Sequence, residues 1–144
     1  MILEDEQATT SLGAKLAAVA RPGDVIALSG PLGVGKTALA RGFIAALGHQ
    51  GDVPSPSFAI VQPYDALDPS VWHVDLYRIE QAAEIEELGL DEAAGAVLLV
   101  EWPERTGTGV WPEALGLSLQ FGRDGDRILT AEVPPSWEGR WPPR

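Results

Sequence analysis

Apolar positions along the chain change period several times, and each change marks an element. Leu12, Leu16 and Val19 recur at helical spacing in DEQATTSLGAKLAAVA, after a Thr- and Ser-rich start, which predicts a first amphipathic helix. DVIALS, Asp24 to Ser29, is a short apolar run of strand length. KTALARGFIAALG returns to helical spacing at Leu39, Phe43, Ile44 and Leu47, and Gly48 ends it. HQGDVPSPS is a turn-rich connection, FAIVQPY alternates as a strand with Pro63 near its end, and VWHVDLY predicts a further strand. EQAAEIEELGLDEAAG reads as two short helical pieces broken at Gly89. AVLLVEW, Ala96 to Trp102, is apolar without alternation, as a parallel strand buried on both faces requires. LGLSLQF and DRILTAEV read as two strands joined at GRDGD, where Asp-Gly signals a tight turn. No internal repeat is present.

The loop between the first strand and the second helix carries candidate chemistry. GPLGVGKT, Gly30 to Thr37, has the Walker A spacing G-x-x-x-x-G-K-[ST]. Gly30, Gly33 and Gly35 free the backbone to turn its N–H groups toward phosphate oxygens. Lys36 would reach the β- and γ-phosphates and the Thr37 hydroxyl the magnesium between them. The helix that follows adds its positive N-terminal dipole to the same anion site. Strand, loop and helix in this order predict an α/β fold: a single P-loop NTPase-like domain over residues 1–134. Its central sheet is expected to be mixed but mainly parallel, flanked by helices, starting parallel and ending in an antiparallel C-terminal strand pair. The tail PPSWEGRWPPR, rich in Pro and Trp, is expected to be a loosely attached surface segment over 135–144.

Composition narrows the function. The 144 residues suffice for one core. The chain contains no cysteine, which excludes disulfides, thiolate zinc sites and thiol catalysis. No run of about 18 apolar residues and no leader pattern occurs, so a cytoplasmic protein off the membrane is expected. The net charge is −11, and Lys15 and Lys36 are its only lysines. Eight scattered arginines form no basic stripe, so strong direct nucleic-acid binding is not expected. The acidity suits solubility or a basic protein partner.

A catalytic partner for the loop should lie at the end of a neighbouring strand. Glu101 follows VLLV as a Walker B acid would, and Asp75 closes VWHV in the same manner. Either acid could hold magnesium or its water shell, or orient the attacking water, and the sequence leaves that division open. SPSF, Ser55 to Phe58, lies where related NTPases keep a switch segment sensing the γ-phosphate, and Ser57 could offer a hydroxyl to the metal.

The succession DEQAT, GPLGVGKT, SPSF, HVDLYR and LVEWPE, from about Asp5 to Glu104, resembles the TsaE family. These are small P-loop ATPases required for threonylcarbamoyladenosine modification of bacterial tRNA. HVDLYR and VEWPE in this order carry more of the likeness than the widely shared Walker A pattern. The resemblance implies ATP and Mg2+ as cofactors, with Gly33, Val34, Gly35, Lys36, Thr37 and Ala38 binding phosphate. It further implies Thr37 and Glu101 as magnesium ligands, and Lys36, Asp75 and Glu101 as the residues needed for hydrolysis. Glu6 would lie against the nucleotide, and Trp102 beside the active site. The implied partners are the TsaD and TsaB proteins, which carry out the threonylcarbamoyl transfer. The chain departs from the family pattern at Pro31, where Asp is usual, and at Ser57 and Ala59, where Thr is usual.

Other side chains carry weaker readings. His73 could shuttle protons, although packing within a strand explains it better, because phosphoanhydride hydrolysis demands no imidazole. Arg78 and Arg105 are arginine-finger candidates by type, with surface or ion-pair roles favoured. Trp137 and Trp141 could dock on a partner or pack on their own domain. A GTPase normally uses Asn-Lys-x-Asp, and the chain contains no asparagine, which favours adenine. A small-molecule kinase needs a lid with arginines, whereas Glu80 to Gly95 holds six acids and no base. That kinase and a non-hydrolysing nucleotide sensor are the alternative functions.

Overall fold

The computed structural model describes residues 1–56, 60–93, 95–106 and 110–144. Among them seven strands form one sheet: β1 (Ile2–Leu3), β2 (Val25–Ser29), β3 (Val61–Tyr64), β4 (Val71–Asp75), β5 (Val97–Glu101), β6 (Leu115–Phe121) and β7 (Arg127–Glu132). Their order is β1-β7-β6-β2-β5-β4-β3. The four inner strands β6, β2, β5 and β4 run parallel. All five residues of β5 are buried, which is why its sequence shows no polar alternation. Two helices, α1 (Glu6–Val19) and α2 (Lys36–Ala46), cover one face.

The apolar side chains sort by face. Leu12 and Leu16 of α1 and Leu39, Phe43 and Ile44 of α2 pack with Val97 and Leu99 in the larger core. Leu98 and Val100 point the opposite way, into a smaller core with Val74 and Ile79. Ile85, Leu88 and Leu90 cover that second face from 3-10 helices at Ala82–Leu88 and Leu90–Ala93. The break between these pieces falls at Gly89, with φ of 69°, as the sequence predicts. Asp5 caps α1 by accepting from the Ala8 N–H at 2.8 Å. The two helices touch backbone to backbone: a Cβ at Gly13 would overlap the Leu39 carbonyl oxygen, and one at Gly42 the Thr10 carbonyl oxygen. This contact fixes where α2 begins relative to the sheet.

The C-terminal pair β6–β7 is antiparallel as expected, and its turn holds Asp124 and Gly125 at φ of 59° and 83°. The sheet is also antiparallel at its other edge, where β3 pairs with β4. The connection over residues 65–70 is too short for a parallel crossover, and Pro63 sits on that edge, where its missing N–H costs no ladder bond. The two-residue β1 closes the far edge against β7 and carries too little pattern to be read from sequence.

The expected loose tail is corrected. Trp137 is fully buried within the main core, and Trp141 packs partly against it. Arg140 reaches back to Asp24 with two bonds of 2.7 and 3.0 Å, and donates to the carbonyls of Val19 and Ser136. Proline and tryptophan here follow from docking a short segment with little entropy to lose.

Candidate functional site

The Walker A loop leaves β2 at the carboxyl end of the parallel strands. Gly30, Gly33 and Gly35 have φ of 143°, 78° and 119°, values that side-chain-bearing residues adopt only with strain. Gly30 is doubly required, since a Cβ there would meet the Leu119 carbonyl oxygen. Gly35 is the N-cap of α2 and supplies no side-chain oxygen to the helix's first N–H groups. Those donors, with the helix dipole behind them, have the arrangement that an anion site requires.

Lys36 and Thr37 open α2 and face the ends of β4 and β5. The Thr37 hydroxyl lies 3.0 and 3.1 Å from the two oxygens of Glu101. Glu101 and Asp75 are partners in the β4–β5 register, so two acids end adjacent strands side by side. Asp75 accepts from the Tyr77 N–H at 2.9 Å. His73 is fully buried, and its Nε2 is 2.6 Å from Glu101 Oε2. Thus His73 packs in its strand as favoured, but it also touches an acid of the site. Alternation could have revealed this, because His73 and Asp75 share a face of β4.

Lys36 is 4% exposed. Its ammonium donates to the Gly30 carbonyl and lies 3.5 Å from the centre of the Trp102 ring. Burial lowers its pKa below the ordinary 10.5, against the opposing charges of Glu101, Glu104 and Asp75. Trp102 has φ of 60°, a strained value for a bulky residue, and its ring contacts Tyr77 at 4.9 Å between centroids. The guanidinium of Arg105 lies 5.4 Å from the Tyr77 ring and 5.9 Å from the Trp102 ring. Arg78 is exposed beyond the end of β4.

Beside the loop is a cavity of about 200 Å³, bounded by Glu6, Thr9, Gly33 to Gly35, Ala38 and Arg127. Glu6 and Ala38 therefore sit with the loop. Arg127, which the sequence did not single out, donates from Nε to the Val34 carbonyl at 2.9 Å and ties the loop to β7. Ninety-three residues separate the two, and no local motif announces such a bond. Ser55 is exposed on the connection before β3. Ser57 and Ala59 lie outside the described residues.

The donor set fits magnesium in kind: a hydroxyl and a carboxylate held together, with a second acid alongside, are hard oxygen donors. Among the described residues no three His, Asp or Glu side chains cluster so as to hold a metal alone. A magnesium site completed by phosphate oxygens needs no such cluster. No helix among the described residues is long and apolar enough to cross a membrane.

The family described as "Threonylcarbamoyl adenosine biosynthesis protein TsaE" matches residues 3–129. A relative in Bacillus subtilis, named tRNA threonylcarbamoyladenosine biosynthesis protein TsaE, is 38% identical over 124 residues, covering 85% of this chain and 77% of that protein. A relative of the same name in Rickettsia felis is 34% identical, covering 90% and 77%. A third, in Haemophilus influenzae, is 39% identical, and the match spans 62% of this chain but only 58% of that protein. The crystal structure of Bacillus subtilis YdiB superposes with a TM-score of 0.79 at 31% identity, covering 96% of this chain and 88% of the other. The chain belongs to the TsaE family.

Proposed function

We propose that this protein binds ATP with Mg2+ at the Walker A loop and hydrolyses it, and that this cycle serves tRNA threonylcarbamoyladenosine formation by acting on TsaD and TsaB. The observation that carries the reading is the meeting of Thr37 and Glu101 at 3.0–3.1 Å directly beside Lys36. The names of the relatives support the tRNA-modification context.

Residues Gly33 to Ala38 and the free N–H groups of α2 hold the phosphates. Lys36 leaves the Gly30 carbonyl and the Trp102 face to reach them as a point charge. Thr37 and Glu101 hold the magnesium, which when bound supplies neutralising charge for phosphoryl transfer to water. Asp75, Glu101's neighbour in register, orients the attacking water in this reading. Glu6 and Arg127 border the adjoining cavity and confine the remainder of the nucleotide. The TsaD and TsaB proteins perform the transfer itself, and this chain changes its affinity for them with nucleotide state, as differential binding requires. Its charge of −11 argues against a direct grip on tRNA.

Reconstituted tRNA modification with purified TsaD and TsaB tests the reading. Multiple turnovers should depend on this protein and fail with Lys36→Ala, while its slow basal ATPase changes when the partners are added. Repeated turnover without the protein, or with the Lys36→Ala variant, would refute the role.

A further inference from the structure

We propose that His73 is a positioning residue for the ATPase: its Nε2–H fixes the Glu101 carboxylate against Thr37 and thereby sets the metal affinity of the nucleotide-bound protein. The inference rests on the magnesium-dependent ATPase reading and adds a residue to which that reading gave no task.

Packing alone accounts poorly for an imidazole at this position. His73 is fully buried on β4, as are Val71 and Val74 of the same strand. Its Nδ1 has no hydrogen-bond partner among the described residues. A buried polar atom left unpaired costs stability that an aliphatic side chain of similar size avoids. What the imidazole gains in return is its other nitrogen, 2.6 Å from Glu101 Oε2 and equally sealed from water. At 2.6 Å two facing lone pairs would repel, so this contact is a hydrogen bond in the form with the proton on Nε2, donated to Glu101 Oε2.

The bond matters because of what else Glu101 does. The Thr37 hydroxyl is nearly equidistant from the two carboxylate oxygens and by itself would leave the group free to turn about its last torsion. Asp75, the neighbouring acid in the register, disfavours a close approach of the second negative charge. His73 lies opposite Leu99, two residues before Glu101, so its ring reaches the acid diagonally across the parallel pair and holds Oε2. Oε1 then keeps a single orientation toward Thr37. Partners of this kind behind a metal-binding carboxylate typically set metal affinity by about 10–100-fold.

Three variants decide the matter: His73→Leu, His73→Gln and His73→Asn. Manganese is titrated into each protein saturated with adenylyl imidodiphosphate and followed by electron paramagnetic resonance. Affinity for the same analogue in EDTA and the melting temperature are measured in parallel. His73→Leu should weaken manganese binding about 10–100-fold while binding the metal-free analogue equally well, and it should melt below wild type because Glu101 Oε2 stays buried without its donor. His73→Gln, whose amide N–H extends as far as Nε2, should recover most of the loss. His73→Asn, whose amide stops at the Nδ1 position, should not, and this pair decides the question even where His73→Leu does not fold. Unchanged manganese affinity in His73→Leu or His73→Asn overturns the proposal, as does equal loss in the Gln and Asn variants. A wild type that binds neither analogue nor metal refutes the nucleotide reading itself and is told apart because it precedes any variant.

Discussion

Two buried polar clusters sit at opposite ends of the same parallel strands, and they are built differently. At the start of β2, Asp24 takes two bonds from Arg140, whose guanidinium stacks 3.9 Å from the Trp137 ring. One acid meets one cation with fork geometry, and the charges cancel. At the far end, Glu101 and Asp75 lie side by side, and Lys36, the cation among them, is satisfied by a carbonyl and an indole face instead of by a carboxylate. The first cluster is closed in itself and ties down the tail. In the second, Lys36 is held by the Gly30 carbonyl and the Trp102 face, while Glu101 takes the Thr37 hydroxyl and His73, so cation and acids are not joined in one forked pair.

The largest expected effect lies at the closed cluster and falls on stability. Trp137→Ala removes a fully buried ring from the main core and should cost about 3–5 kcal/mol. Arg140→Ala takes both guanidinium bonds from the half-buried Asp24, which keeps the Arg21 N–H at 2.7 Å, and should cost less, about 1–3 kcal/mol. Both are read by urea denaturation. Nucleotide affinity, measured well below the melting temperature, should stay at the wild-type level. Weakened affinity without lost stability would mean that the two ends are not independent.

At the open cluster the expected effect falls on chemistry. Glu101→Gln keeps shape and loses charge, so turnover should drop at least about 100-fold, equivalent to about 2.7 kcal/mol of barrier, with little change in melting temperature. Asp75→Asn should also slow hydrolysis, and single-turnover rates of the two variants rank the acids. Wild-type turnover in Asp75→Asn would make that acid structural and not catalytic.

The same contrast separates what the sequence announces from what it conceals. The Walker A loop, the helix after it and the acids ending β4 and β5 are visible because a few adjacent residues dictate each: glycines where φ turns positive, an apolar run before an acid. The closed cluster is invisible, since Arg140 and Asp24 are 116 residues apart and nothing near either names the other. A tail of Pro and Trp looks loose until the core it docks against is assembled. The bond from Arg127 to Val34 is hidden for the same reason, whereas the His73–Glu101 contact was half visible in the strand's alternation. The second antiparallel pair, β3–β4, was readable from the length of its connection but needed the strand ends placed to the residue.

The smallest expected effect concerns the cost of keeping Lys36 ready. Burial disfavours the charged form in the folded protein and lowers its pKa below 10.5, while the unfolded chain holds the proton up to that value. Between the two values the unfolded state binds more protons, so stability rises with pH through that window, and below it the penalty is present in full. Lys36→Met keeps most of the packing on Trp102 and removes the charge. It should therefore melt slightly higher than wild type at neutral pH, by less than roughly 3 °C, with the advantage shrinking as pH approaches 10.5. ATP hydrolysis should be lost throughout. The mirror substitution, Arg140→Met, removes a cation that its own carboxylate already neutralises and should lower the melting temperature at the same pH. Thermal melts of both variants across pH 7 to 10 compare the ends directly, and a Lys36→Met protein less stable than wild type at pH 7 would show that Lys36 supports the fold as Arg140 does.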